Sequence, residues 1–290
     1  MTRLLTSLVV VLAAALEVVQ ATAAPAQLTL FADSTTTVRP RFTVEIVGHG
    51  PDIVLIPGLA SSRETWRATA ERLRGRYRLH LIQIAGFAGE PPRANASGAF
   101  FDPVLAELDA YCASLGRPIV MGHSLGGTLG LALAQRHPEH LSKLLIVDSL
   151  PFYGVLMGGP AATSATIAPM ADQMRNAKAA MPEPMMRSMM AQMVTAPADV
   201  DRVAGWSVAS TPAVVGMAMG DDMTADLRPG LAAMKTPVTV LYETMLEGPI
   251  TSGYAAMPNK TLVAVPDAKH FIMYDQPARF AAEVAAFLTR

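Results

Sequence analysis

The run Gly122-His123-Ser124-Leu125-Gly126-Gly127, entered from Pro118-Ile119-Val120-Met121 and left through Thr128-Leu129-Gly130-Leu131-Ala132-Leu133-Ala134, decides how the rest of the chain is read. A short apolar stretch that ends in Gly-x-Ser-x-Gly and continues into Ala/Leu-rich sequence describes a strand, a sharp turn and a helix. Small residues two before and two after the serine let that strand and helix pass closely, and the serine is left standing at the corner. The pentapeptide alone arises by chance in about one chain of this length in ten. The flanking pattern turns it from a glycine-rich loop into a nucleophile on a strained turn.

Working outward, the chain alternates. Phe42-Thr43-Val44-Glu45-Ile46-Val47 reads as a strand, and Gly48-His49-Gly50-Pro51 as a hairpin turn into the buried run Ile53-Val54-Leu55-Ile56. A polar connector, 27–40, precedes them. Helical pattern over 64–74, a strand over 77–84, a helix over 104–115, a strand over 119–121 and another at Leu144-Leu145-Ile146-Val147 follow. Strand-helix alternation with buried strands predicts an α/β fold, a parallel sheet covered on both faces. From Pro151 to about Gly230 strand-like runs are scarce, and thirteen of the 18 methionines fall between Met157 and Met234. This predicts a helical insertion whose unbranched thioethers suit an apolar, irregular ligand pocket. Alternation resumes at Val238-Thr239-Val240-Leu241-Tyr242 and Thr261-Leu262-Val263-Ala264-Val265, and closes with a helix over 277–288.

Residues 1–24 have a different composition. One arginine, an apolar run from Leu4 to Leu16 and small residues at Ala21-Thr22-Ala23-Ala24 read as a secretory signal peptide. The apolar run is shorter than the roughly 20 residues that cross a bilayer, so the mature chain is expected in the periplasm or outside the cell, without stable membrane insertion. The organisation is then a leader (1–24), a core in two parts (25–150 and 231–290) and a helical insertion (151–230). The 290 residues carry a formal net charge of −1, with no basic stripe, which argues against nucleic acid and for a small, largely uncharged substrate. Cys112 is the single cysteine, so no intrachain disulfide forms; it reads as a buried thiol in a helix. No metal-binding His/Glu spacing, dinucleotide fingerprint or phosphate loop is present, and no cofactor is implied.

A serine hydroxyl needs a base to take its proton and donors to hold the oxyanion formed on a carbonyl. Of six histidines, His270 in Pro266-Asp267-Ala268-Lys269-His270-Phe271 is best placed, just past the last strand. His49, His80, His137 and His140 read as surface or packing residues, and His123, although next to the serine, as pointing elsewhere. The amides of Leu125, after the nucleophile, and of Leu59, in Pro57-Gly58-Leu59-Ala60 after the early buried strand, are the expected oxyanion donors.

Pro57-Gly58-Leu59-Ala60-Ser61-Ser62 with Trp66, the elbow at Gly122–Gly127, and His270-Phe271 followed by Asp275-Gln276-Pro277 resemble the α/β-hydrolase superfamily, in its lid-bearing serine esterase-like branch. The resemblance spans about Phe42 to Arg290. It implies an eight-stranded, mostly parallel sheet, a lid after the sixth strand, and a cofactor-free Ser-His-acid triad that cleaves a carboxylic ester or related acyl bond. The acid departs from the family pattern, because Glu243-Thr244-Met245-Leu246-Glu247-Gly248 contains no aspartate where relatives carry one. Asp148 at the end of the sixth strand, Glu247 and Glu243 are the three candidates. The missing aspartate is also the one ground for another reading, a ligand-binding protein on a hydrolase scaffold with an impaired triad.

Overall fold

Apolar runs too short for helices line up as one eight-stranded sheet in the computed structural model, which describes residues 29–290. The leader reading therefore lies outside the described residues. The strands are β1 (Thr35–Val38), β2 (Phe42–Gly48), β3 (Asp52–Ile56), β4 (Arg78–Ile84), β5 (Ile119–His123), β6 (Leu144–Val147), β7 (Val238–Glu243) and β8 (Lys260–Val265). Their order is β1-β2-β4-β3-β5-β6-β7-β8. β1 and β2 pair antiparallel with their neighbours, and every pairing from β4 to β8 is parallel.

Two expectations are corrected. Gly48-His49-Gly50-Pro51 is not a hairpin: β4 lies between β2 and β3 and pairs with both, so the chain crosses over it. The connector over 27–40 contains β1, an edge strand hidden from pattern reading because all four of its side chains are exposed and show no alternation.

Alternate residues of the central strands feed opposite faces. Val54, Ile56, Val120, Ile146 and Val240 pack on one side with α2 (Phe101–Ser114) and α3 (Leu125–Arg136). Ile53, Leu55, Met121, Leu145 and Leu241 pack on the other with α1 (Arg67–Leu73) and the final helix, whose Phe280, Val284 and Phe287 recur at helical spacing. Cys112 is fully buried in α2, and burial pushes its thiol up to about 12, so it packs rather than reacts.

Between β6 and β7 the chain inserts α4 (Val155–Gly158), α5 (Ser164–Asn176), α6 (Glu183–Met190), α7 (Pro197–Ala209) and α8 (Pro212–Thr224). After β7 come α9 (Glu247–Gly253), then β8, α10 (Ile272–Asp275) and α11 (Pro277–Thr289). No single described helix is long and apolar enough to cross a membrane.

The start of the described chain is held by a buried charge. Glu45 in β2 accepts hydrogen bonds from the Leu30 and Phe31 amides and the Ser34 hydroxyl, and its other partner, Arg63 Nη1, lies 3.6 Å away. Arg63 also donates to the Thr43 hydroxyl.

Candidate active site

Four loops meet at the carboxyl edge of the central strands. The first is the turn from β5 into α3. Ser124 adopts φ 52° and ψ −124°, a left-handed conformation that costs a non-glycine residue energy and persists only when its surroundings enforce it. Packing of strand on helix does so here: a Cβ at Gly122 would lie 2.1 Å from the Gly126 carbonyl oxygen. Ser124 stays half-exposed while its neighbours on both sides are buried. Its hydroxyl makes no hydrogen bond with another described residue.

The second loop follows β3. A Cβ on Gly58 would sit 3.1 Å from Ser124 Cβ and 3.0 Å from His123 Nδ1, so this loop lies against the nucleophile turn. Neither the Leu59 amide in this loop nor the Leu125 amide at the start of α3 donates to another described residue. Two free N–H groups flanking one serine are what an oxyanion requires.

The third and fourth loops bring a carboxylate and an imidazole together. Asp148, just past β6, adopts φ 51°, a region aspartate tolerates better than most residues. Its Oδ2 accepts a 2.7 Å hydrogen bond from His270 Nδ1, and its Oδ1 accepts the Glu243 amide at 2.8 Å. The Asp148 side chain is fully buried, whereas His270 is 22% exposed. Donation from Nδ1 leaves His270 Nε2 with the free lone pair of the neutral ring. Ser124 and His270 make no hydrogen bond with each other; catalytic contacts of this kind commonly tighten when substrate enters.

The other two carboxylates are placed differently. Glu247 is exposed at the first turn of α9. Glu243 ends β7 and touches Asp148 through its backbone; burial, and then the Asp148 charge, hold its carboxyl above the usual range.

Sequence reading missed several residues. His123 lies against the base: its ring centroid is 4.7 Å from that of His270, and its Nε2–H donates to the His270 carbonyl at 3.1 Å. Burial, then the neighbouring His270, hold its pKa well below the ordinary value, so it is neutral and its buried Nδ1 has no partner. The loop that carries His270 is also tied to the insertion. Lys269 Nζ donates to the Ala191 carbonyl at 2.6 Å, Phe271 N to the Met193 carbonyl at 3.0 Å, and Thr195 N to Asp275 Oδ1 at 2.8 Å. Lys269 carries no signal in sequence; Asp275 stands in the Asp275-Gln276-Pro277 motif but showed no role there.

A separate cleft of about 380 Å³ opens at the base of the insertion, lined by Asp102, Arg136, Asp221 and Asp226 among others. None of Ser124, Asp148 and His270 lines it.

Known proteins share this fold. The pimeloyl-(acyl-carrier protein) methyl ester esterase of Aliivibrio salmonicida is 27% identical over 250 residues, covering 83% of this chain and 93% of that protein. An enol-lactonase from Burkholderia xenovorans superposes with a TM-score of 0.72 at 18% identity, covering 86% of this chain and 96% of its own. An esterase from Exiguobacterium antarcticum superposes with a TM-score of 0.73 at 15% identity, with the same coverage. The sequence model of the alpha/beta hydrolase family matches residues 53–283, and the chain belongs to that family.

Proposed function

We propose that this protein hydrolyses carboxylic esters of small, mainly apolar substrates through an acyl-enzyme on Ser124. The observation that carries the reading is the Asp148–His270 hydrogen bond beside a serine held in a left-handed turn. Ser124 Oγ attacks the ester carbonyl carbon as His270 Nε2 takes its proton, and buried Asp148 stabilises the imidazolium. The Leu59 and Leu125 amides hold the oxyanion. On collapse His270 returns the proton to the leaving alkoxide, which departs as alcohol. Water then attacks the acyl-enzyme with His270 again as base, releasing the carboxylic acid and restoring the serine.

The substrate class is supported by the ester named for the Aliivibrio relative and by the methionine-rich insertion, read as a lid. Met157, Met170, Met174, Met181, Met185 and Met189 there are exposed. The alternative of a binding protein with an impaired triad rested on the absent aspartate after β7; the hydrogen bond between Asp148 and His270 supports the esterase reading instead.

The test is hydrolysis of short-chain p-nitrophenyl esters with fluorophosphonate labelling. Turnover and labelling that both vanish in Ser124→Ala are expected; turnover that survives this change refutes the proposal. The leader pattern over 1–24 supports a site of action outside the cytoplasm. N-terminal sequencing of protein from the native host should find a chain starting at Ala24 or Pro25.

A further inference from the structure

At the edge of the sheet opposite Ser124, three side chains from three elements converge. Asp109 projects from α2, His137 closes the C-terminus of α3, and His140 ends the following turn (Pro138–His140). We propose that Asp109, His137 and His140 form a binding site for a divalent transition metal ion of the zinc class.

One ligand atom from each residue can be chosen so that all three lie within 4.8 Å of one another. A tetrahedral zinc with bonds of about 2.0–2.1 Å needs ligand atoms roughly 3.3 Å apart. The difference is within reach of side-chain rotation, because His137 and His140 are 41% and 29% exposed. The two Asp109 oxygens are divided between the rings: Oδ1 is 2.6 Å from His140 Nδ1, and Oδ2 is 3.6 Å from His137 Nε2, too long for a hydrogen bond.

A second carboxylate stands on the far side of the rings. Glu139 Oε1 lies 3.6 Å from His137 Nδ1 and 3.8 Å from His140 Nε2, the nitrogens turned away from Asp109. Each imidazole thus presents one nitrogen to the Asp109 side and the other toward a second carboxylate. At these distances Glu139 makes no hydrogen bond to either ring, but rotation of its exposed side chain brings it to the outer nitrogens, where a carboxylate fixes the tautomer of a metal-bound histidine. Two imidazoles and one carboxylate suit zinc and leave a fourth position for water. The backbone is already shaped, with His137 N bonded to the Leu133 carbonyl and His140 N to the His137 carbonyl.

The 12 residues of α3 separate this cluster from Ser124 by about 18 Å, so the ion would clamp α2 to the α3–β6 connection and take no part in ester hydrolysis. Pattern reading could not find it, because one ligand lies far upstream of the His137-Pro138-Glu139-His140 pair.

The test is calorimetric titration of the chelator-treated protein with zinc chloride at pH 7.5. Expected are saturable one-to-one binding and a thermal midpoint that rises with zinc concentration. His137→Gln, His140→Gln and Asp109→Asn, each at a partly exposed position and checked for folding by circular dichroism, should abolish binding. Glu139→Gln should weaken it about 10- to 100-fold, and His49→Gln should leave it unchanged. No saturable binding by the wild-type protein at millimolar zinc, or binding that survives His140→Gln, overturns the proposal.

Discussion

Asp148 and His270 stand 122 residues apart in the chain and meet through a 2.7 Å hydrogen bond from His270 Nδ1 to Asp148 Oδ2. The other carboxylate oxygen is held by the Glu243 amide, so the acid is fixed by the neighbouring strand before it orients the ring. A buried carboxylate gripped in this way sets both the tautomer and the aim of the imidazole it holds.

Replacing Asp148 with Asn therefore should lower kcat by roughly 10⁴-fold, the loss typical when a triad acid is neutralised. Glu247→Gln, on an exposed helix turn, should leave kcat near wild type, and Glu243→Gln should do the same because its contact with Asp148 is through the backbone. Steady-state kinetics on one p-nitrophenyl ester decide it: a collapse in Glu243→Gln comparable to that of Asp148→Asn would reassign the acid.

Gly58 lies so close to the nucleophile turn that an added Cβ would crowd Ser124 Cβ and His123 Nδ1 at 3.1 and 3.0 Å. Gly58→Ala should displace the adjoining Leu59 amide and lower kcat by up to about 10²- to 10³-fold, the scale of one lost oxyanion donor. The measured split between kcat and KM checks this, since a loss confined to KM would point to binding alone.

The bond from Lys269 Nζ to the Ala191 carbonyl joins the base-bearing loop to the insertion. Lys269→Met should misplace His270 and lower kcat by up to about 10²-fold, with Lys269→Arg largely restoring it. Wild-type kcat in Lys269→Met would show that the loop holds without this tie.

Asp222, in α8, is buried with one oxygen unpartnered, and burial pushes its carboxyl up to about 7. A carboxyl that binds its proton more tightly folded than unfolded loses stability as pH rises. Below about pH 4 both states are protonated; from there to about pH 7 the unfolded state ionises freely and the native state resists. Asp222→Asn should remove this slope, a gain on the order of a few kcal/mol at pH 8. Thermal midpoints of both proteins from pH 4 to 8 test it, and parallel curves would contradict it.

Glu45 and Arg63 are both buried, and Glu45→Gln removes the carboxylate paired with Arg63, leaving only the more distant charge of Glu90. A loss of about 3–5 kcal/mol is expected, the cost of breaking a buried ion pair. Urea unfolding should show it as a lowered midpoint without a change in slope.

Much of the architecture was readable as pattern. The central strands announced themselves as unbroken apolar runs, and their alternation with helices specified the parallel sheet. β1 escaped because an exposed Thr35–Val38 has no buried face to leave a mark. The supposed hairpin at His49 failed because local turn chemistry cannot reveal that β4, thirty residues on, slips between two consecutive strands.

Local sequence determined the serine's turn, since Gly122, Ser124 and Gly126 are neighbours and their constraints are steric and short-range. It also supplied His270 as the one histidine past the last strand. The carboxylate that meets that histidine was decided by tertiary structure alone. Asp148, Glu243 and Glu247 all stand near the ends of β6 and β7, and no spacing separates them. The parallel register of those strands, the left-handed turn at Asp148 and the burial that excludes water from its carboxylate exist only once the sheet has assembled.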